Sequence, residues 1–175
     1  SDVILTGVGT VLADDPSLNV RASDDARQPV RVIVDSHWRT PPDARLLGLG
    51  GEVIIAGLQD APVPDALGRT RAACVALPVH DHRVDMKALL DELGTRGFNE
   101  VQVEAGAELC GTLVQHDLVD ELLIYQAPVI LGGGAISPFS APRLDNMEDR
   151  VHLEWIDSRR IGKDMRLRFR PADRR

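Results

Sequence analysis

Five short apolar runs, separated by segments rich in Gly, Pro and Asp, place the strongest constraint on how this chain can fold. Runs that are largely apolar, without a clean alternation of polar and apolar side chains, suit strands buried on both faces of a parallel sheet that helices cover. They lie at Val3–Leu5, Val30–Val34, Val53–Ala56, Val75–Leu77 and Val101–Val103. The sequence therefore predicts an α/β fold.

Two covering helices and a C-terminal hairpin complete this prediction. Apolar residues at helical spacing between Met86 and Leu93, behind Asp85 as N-cap, predict one helix, and a second is expected from about Ala107 to His116. Alternating apolar positions at 151–155 and 165–169, joined by a turn at 162–164, predict an antiparallel hairpin and hence a mixed sheet. We expect one domain over residues 1–175.

Charge and composition exclude several classes of function. The formal net charge is -7, so the average field repels nucleic acids and anionic lipid surfaces, and neither is an expected partner. No apolar run approaches the roughly 20 residues that span a bilayer. Cys74 and Cys110 lie far apart in the sequence, which fits a reducing cytoplasm and gives no support to a zinc site.

The segment from Gly7 to Pro16 is the first candidate site. Small residues after a strand let backbone N–H groups approach a phosphate or sugar, so we expect a tight, phosphate-sized turn here. Asp14 would then accept a hydrogen bond from a ribose or amide group. The alternative is purely structural: Asp14 and Asp15 ahead of a proline can form a turn that bonds its own backbone.

A second and stronger candidate is the segment from Val101 to Ala107, a strand that ends in Glu104 and Gly106 before a helix begins. Ligands collect at the carboxyl ends of strands in open α/β sheets, and a helix N-terminus attracts a diphosphate. The spacing equally allows Glu104 to cap the helix or to pair with an arginine.

Two further strand ends carry weaker signals. Ile130 and Leu131 run into three glycines, which predicts a strand end or a flexible loop. After the second apolar run come Asp35, Ser36 and Arg39; an acid here suits ribose hydroxyls, whereas Ser and Arg suit a 2′-phosphate, so the residues leave NAD and NADP undecided.

Hydrolase and P-loop chemistry are poorly supported, since the chain has neither a GxSxG motif nor a glycine-lysine phosphate loop. His80 and His82 flank Asp81 and could suggest a metal, but a polar loop is the favoured interpretation. No metal ligands are predicted.

The run from Ser1 to Arg21, SDVILTGVGTVLADDPSLNVR, closely resembles the reductase domain of the bifunctional RibD family of riboflavin biosynthesis. The resemblance extends over nearly the whole chain through Val32–Ser36, Val103–Gly106 with Leu109 and Gly111, Leu118–Leu122, and Ala127–Pro128 followed by Leu131–Gly132. It implies a dihydrofolate-reductase-like, three-layer αβα fold with helices on both faces of a mostly parallel mixed sheet. It also implies reduction of 5-amino-6-(5-phosphoribosylamino)uracil to its ribitylamino form with NADPH.

The resemblance also implies the site residues, while the catalytic residue stays unassigned. Residues on the substrate side are Leu18, Arg21 and Glu104. Residues on the NADP side are Thr10, Asp14, Ser36, Gly106, Ala107, Glu108, Leu109, Cys110, Gly111 and Thr112. Arg21 suits the sugar phosphate, and the helix opening at Gly106 suits the cofactor diphosphate.

Members of this family carry a further strand and helix ahead of the segment resembled by Ser1–Arg21, and often a zinc deaminase domain. We therefore expect a piece trimmed from a larger chain, or a relative of the stand-alone reductases, and assign it no deaminase activity. A homodimer is expected, since proteins of this kind commonly pair. The alternatives are a related reductase acting on another pterin, imine or carbonyl substrate, and a nucleotide-binding module without catalysis.

Overall fold

The computed structural model describes residues 1–20, 27–140 and 146–172, and the chain divides into two compact units, Ser1–Leu109 and Cys110–Arg175. The strands of the first unit are β1 (Val3–Gly7), β2 (Val30–Val34), β3 (Val53–Leu58), β4 (Ala73–Leu77), β5 (Val79–His80), β6 (Arg83–Val84) and β7 (Val101–Val103). Its helices are α1 (Val8–Asp14), α2 (Arg45–Gly48), α3 (Asp65–Gly68) and α4 (Met86–Thr95). Helix α5 (Ala107–Gln115) has residues in both units.

A five-stranded sheet in the order β4-β3-β2-β1-β7 forms the centre of the first unit. Every pairing is parallel, and Val3 of β1 stands opposite both Val30 and Val101. The central strands are buried, with Leu5 and Ile33 at 0% exposure. All five apolar runs are thus confirmed as strands of a parallel sheet.

The segment after β1 differs from the tight turn that its glycines predicted. It forms helix α1, because Val8 and Val11, one turn apart, are buried in the core. Asp15 ends the helix in the left-handed region, at φ 41°, and its N–H donates to the Val11 carbonyl. Burial of these two valines outweighed the turn signal of Gly7 and Gly9.

Helix α4 begins as predicted. The Asp85 carboxylate accepts a hydrogen bond from the Ala88 N–H at 3.0 Å, and Met86, Leu89 and Leu93 are buried. The cap and the apolar face therefore confirm the helix expected from its spacing.

A buried arginine on β2 fastens α2 to the sheet. Arg31 is 1% exposed, and its Nη1 donates to the Leu46 carbonyl at 2.7 Å while its Nη2 donates to the carbonyls of Leu49 and Gly50. Burial lowers the pKa of this guanidinium, and the charge of Arg71 lowers it further. Three carbonyls thus take the place of a carboxylate partner.

The loop after β2 is closed by two buried side chains. The Asp35 carboxylate accepts from the N–H and the hydroxyl of Thr40, both at 2.7 Å. Trp38, at φ 55°, packs its ring on Gly57, and its indole N–H donates to the Ala61 carbonyl at 3.0 Å. This ring occupies the space that a side chain on Gly57 would need.

The second unit contains a three-stranded antiparallel sheet of β8 (Leu122–Gln126), β9 (Leu153–Ile161) and β10 (Asp164–Pro171), in the order β8-β10-β9. The predicted hairpin is confirmed, with Gly162 at φ 61° in its turn. Among the described residues it does not make the parallel sheet a mixed one, because its strands pair with each other and with β8 in this separate sheet. Ile130 and Leu131 belong to no strand, because β8 ends at Gln126 and both side chains are exposed. A short 3-10 turn lies at Met147–Asp149.

Arginines on β10 pair with acids across the sheet. Arg168 donates to both oxygens of Glu121 at 2.7 Å and to Asp157 at 3.1 Å, and Arg170 pairs with Glu154. The hydrogen bonds from Arg168 lower the pKa of Glu121.

Among the described residues, no helix has the length and apolar character that crossing a membrane requires.

Candidate functional site

The carboxyl ends of β2, β1 and β7 lie side by side at one edge of the parallel sheet. They lead into the loop at Asp35, helix α1 and Glu104, respectively. Because parallel strands end at the same edge, segments that are far apart in the sequence meet there. This edge is where the sequence predicted a ligand.

An open cleft of about 390 Å³ lies in the first unit. It brings together three residues that the sequence predicted, Asp14, Leu18 and Glu104. The residues that line it are Ile4, Asp14, Asp15, Pro16, Ser17, Leu18, Asn19, Arg45 and Glu104. Two of the predicted substrate residues and one predicted cofactor residue therefore line the same cleft.

Glu104 is held firmly by its backbone, while its side chain stays exposed. Its N–H donates to the Leu5 carbonyl, and its carbonyl accepts from the buried Thr6 hydroxyl at 2.8 Å. The carboxylate accepts from the Gln102 amide at 2.7 Å. Among the described residues it neither caps α5 nor pairs with an arginine. The pairing with an arginine stays open, because Arg21 lies outside the described residues.

The adjacent acids Asp14 and Asp15 have different surroundings. Asp15 accepts from the Arg45 N–H at 2.8 Å and lies 3.6 Å from the Arg45 Nε. Asp14 is exposed, and its carboxylate has no hydrogen bond or ion pair within the described part of the chain. Neither side chain bonds its own backbone as the structural alternative required, and Asp14 is left available to a ligand.

Leu18 reaches the cleft through an unusual backbone conformation. It has φ 45°, in the left-handed region that non-glycine residues adopt only when their surroundings enforce it. Asp15, three residues earlier, has φ 41°. The rim of the cleft from Asp15 to Asn19 thus contains two residues in the left-handed region, and the Asp15 carboxylate connects it to Arg45.

Three polar residues after β2 differ in exposure: Asp35 is buried, Ser36 is half-buried and Arg39 is exposed. Asp35 is 0% exposed, whereas the Arg39 side chain is 56% exposed with its Nε 3.9 Å from the Asp35 carboxylate. The Ser36 hydroxyl accepts from the Val84 N–H at 3.1 Å and keeps its own proton to donate. Asp35 cannot reach the ribose hydroxyls of a ligand.

The stretch predicted to meet the cofactor diphosphate begins at an accessible turn. Gly106 is exposed, and a side chain placed there would meet nothing within 4 Å. Glu108, in the first turn of α5, lies 3.2 Å from the Arg83 guanidinium, and Leu109 approaches Gly7 at the end of β1. Further along α5, Cys110 and Thr112 are half-buried and Gly111 is buried.

The described cleft lining contains none of the other predicted cofactor residues: Thr10, Ser36 and the seven residues from Gly106 to Thr112 are all absent from it. Thr10 lies on α1, half-buried. Arg21 lies outside the described residues. The roles predicted for all of these residues stay predictions.

Arg45 is a cleft residue that the sequence analysis missed. It lies 30 positions after Asp15, its partner, in a segment with no motif of its own. Only the tertiary fold brings the two together, so a single sequence carries no signal for this contact.

Comparison with known proteins identifies the family. The family model described as the RibD C-terminal domain matches residues 1–167. The chain belongs to this family. The resemblance found in the sequence is thereby confirmed.

Relatives of two lengths are similar to this RibD C-terminal domain. It is 35% identical to the riboflavin biosynthesis protein RibD of Escherichia coli over 95% of the chain but 48% of that protein, so it spans about half of the relative. It is also 35% identical to the 2,5-diamino-6-ribosylamino-4(3H)-pyrimidinone 5′-phosphate reductase of Methanothermobacter thermautotrophicus, covering 96% of the chain and 79% of the relative.

Solved structures of the family show the same fold. RibD of Acinetobacter baumannii superposes with a TM-score of 0.85 at 31% identity, over 99% of this chain and 47% of that one. The riboflavin biosynthesis reductase Rib7 of Saccharomyces cerevisiae gives a TM-score of 0.80 at 25% identity, over 98% of this chain and 76% of that one. The expected dihydrofolate-reductase-like class, with a mostly parallel sheet, helices and a C-terminal antiparallel hairpin, is confirmed.

Proposed function

We propose that this chain reduces 5-amino-6-(5-phosphoribosylamino)uracil to 5-amino-6-(5-phosphoribitylamino)uracil in riboflavin biosynthesis, with NADPH as the reductant. The observation that carries the proposal is the cleft in which Asp14, Leu18 and Glu104 meet across 90 positions of sequence. The name of the Buchnera aphidicola relative, 5-amino-6-(5-phosphoribosylamino)uracil reductase, supports it; that relative is 29% identical over 98% of this chain.

The main contribution of the protein to this reaction is to position the substrate against the cofactor. NADPH would supply a hydride for C1′ of the ribose. The product forms when C1′ gains that hydride, the C1′–O4′ bond breaks and O4′ gains one proton from solvent. The Glu104 carboxylate accepts hydrogen bonds from the sugar hydroxyls and the amino groups of the pyrimidine, and the Asp14 carboxylate accepts from a ribose hydroxyl or amide group of the cofactor. They thereby orient C1′ for transfer. We assign no residue as a catalytic acid.

The groups displayed at the strand ends fit NADPH better than NADH. Asp35 is buried and bonded to Thr40, so this acid at the end of β2 is not presented to the hydroxyls of an unphosphorylated ribose, whereas Ser36 and Arg39 suit a 2′-phosphate. The open turn at Gly106 and the N–H groups at the start of α5 suit the diphosphate.

Arg39→Gln is expected to raise the KM for NADPH about tenfold while changing the KM for NADH less than about threefold, because only NADPH carries the 2′-phosphate. Steady-state kinetics with each cofactor measures both values. Lys163→Gln, which removes an exposed cation at the hairpin turn of the second unit, is the matched control. An equal rise for both cofactors would contradict the role of Arg39 in cofactor choice.

The proposed activity is tested by following the absorbance of the reduced nicotinamide with this chain, NADPH and the phosphoribosylaminouracil, and again with NADH. Loss of absorbance that depends on the substrate supports the reductase. A flat trace in the presence of bound NADPH removes the catalytic proposal for this chain and leaves a nucleotide-binding module.

A second candidate substrate is 2,5-diamino-6-ribosylamino-4(3H)-pyrimidinone 5′-phosphate. It is favoured by the Methanothermobacter thermautotrophicus reductase that is named for this compound, of which this chain covers 79% at 35% identity. The two compounds differ at pyrimidine position 2, which carries an amino group in one and an oxygen in the other. The ratio of kcat/KM for the pair decides between them.

We also propose a homodimer that works in the cytoplasm. The second unit exposes large apolar side chains, including Tyr125 at 59%, Ile130 at 98% and Trp155 at 65%. Monomeric proteins rarely expose large contiguous apolar surfaces, and such surfaces commonly mark a protein interface. Sedimentation equilibrium at micromolar concentration is expected to give twice the chain mass of 19.1 kDa. A single species at the chain mass would contradict the dimer.

A further inference from the structure

The charge of the cleft is unevenly distributed. Its lining, as far as the described residues define it, carries three carboxylates, from Asp14, Asp15 and Glu104, and one cation, Arg45. A dianionic phosphate brought near three carboxylates is repelled unless a cation lies close to it. Arg45 is therefore the described residue that can admit a phosphate-bearing ligand.

Asp15 contacts Arg45 through the backbone N–H and the Nε, and not through the two Nη groups of the guanidinium. The hydrogen bond at 2.8 Å is made to the backbone N–H of Arg45, so it fixes where the side chain starts. The ionic contact runs from Nε to Asp15 at 3.6 Å, and no hydrogen bond or ion pair of the two Nη groups occurs among the described residues. The Nη groups, with four N–H donors between them, can face a ligand.

The ion pair with Asp15 is easily exchanged. The Arg45 side chain is 61% exposed and that of Asp15 50% exposed, and pairs this open to solvent contribute little to stability. A phosphate offers the guanidinium two charge-assisted hydrogen bonds in a bidentate arrangement, which is a stronger partner than a single contact at 3.6 Å.

We propose that Arg45 binds the phosphate of a sugar-phosphate substrate in this cleft, in addition to Arg21, to which the family resemblance assigns the same phosphate. Arg45 thereby contributes to the preference for the phosphorylated compound, with Asp15 as its positioning residue. The proposal rests on the proposed function for the identity of the sugar phosphate. It goes beyond that function in assigning this role to Arg45, a residue that the sequence pattern did not single out.

The test compares Arg45→Gln with the wild-type chain on the phosphoribosylaminouracil and on its dephosphorylated form, with NADPH. Glutamine keeps the backbone N–H that Asp15 binds, so the rim of the cleft stays anchored. We expect kcat/KM for the phosphorylated substrate to fall at least about tenfold, through KM, and that for the dephosphorylated substrate to change less than about threefold. Arg45→Lys is expected to restore part of the loss.

Arg69→Gln is the control, because it removes an exposed arginine that does not line the cleft. Equal losses for both substrates in Arg45→Gln, or no loss for either, would overturn the proposal. An intact thermal midpoint would show that the variant is folded.

A second measurement separates this proposal from the proposed function. Binding of ribose 5-phosphate and of ribose is followed by chemical-shift changes in the wild-type chain and in Arg45→Gln. If NADPH oxidation fails but ribose 5-phosphate binds the wild type at least about tenfold more tightly than the variant, the role of Arg45 stands while the reductase proposal falls. Equal affinities for the two proteins overturn the role of Arg45.

Discussion

Replacing Gly57 with alanine is expected to destabilise the first unit by about 3 kcal/mol, the upper end of what overpacking in a core costs. A Cβ on Gly57 would overlap the Trp38 ring, closer than real Cβ contacts come. The ring cannot easily retreat, since Trp38 is 4% exposed and its indole N–H is bonded to the Ala61 carbonyl. Urea unfolding followed by tryptophan fluorescence measures the change in the free energy of unfolding.

Gly68→Ala is the matched control for this substitution. Gly68 is the last residue of helix α3, and a Cβ there would meet nothing within 4 Å. Because alanine favours helix over glycine by up to about 1 kcal/mol, this variant is expected to be as stable as the wild type or slightly more so. If both variants unfold at the same urea concentration, the close packing of Trp38 on Gly57 is wrong.

Glu104→Gln is expected to lower kcat/KM about a hundredfold without moving the thermal midpoint. The carboxylate is exposed at the cleft, so it adds little to folding, and a hydrogen bond between a substrate donor and a charged acceptor is worth about 1.5–3 kcal/mol. Glutamine keeps the shape of the side chain and an oxygen that can accept from Gln102. Steady-state oxidation of NADPH against substrate concentration measures the loss.

Gln102→Ala tests whether the neighbour of Glu104 matters by itself. It removes the amide that donates to the Glu104 carboxylate at 2.7 Å but leaves the charge in the cleft, and we expect less than about a threefold change in kcat/KM. A Glu104→Gln enzyme as active as the wild type would show that this carboxylate is a surface group and that the cleft binds its ligand elsewhere.

The strands of the parallel sheet could be predicted from the sequence because each one is marked by apolar residues at neighbouring positions. Runs such as Val53–Ala56 are apolar on consecutive positions, which only a strand buried on both faces accommodates well. Helix α4 was equally local, since the cap at Asp85 and the apolar spacing lie within ten residues. Helix α1 was missed because Gly7 and Gly9 gave a turn signal that the burial of Val8 and Val11 overrode.

The candidate site could be predicted only where motif and strand end coincide. Glu104 follows β7 directly, and Asp14 follows a strand end by one short helix, so both were found. Arg45 was not, because its place in the cleft depends on a contact with Asp15 across 30 residues of chain. The burial of Asp35 was also unpredictable, since nothing local shows that Thr40 turns back onto it.

Helix α2 has only four residues, far fewer than an isolated helix needs to persist in water. Asp15 accepts from its first N–H, and the buried Arg31 donates to the Leu46 carbonyl within it and to the carbonyls of Leu49 and Gly50 just after it. Opening this single turn breaks the hydrogen bonds of Arg31 and leaves a buried guanidinium without acceptors, which is costly. The amide protons of α2 should therefore exchange with solvent at the slow rate of the strands beside it, and the wall of the cleft would open when the sheet itself unfolds.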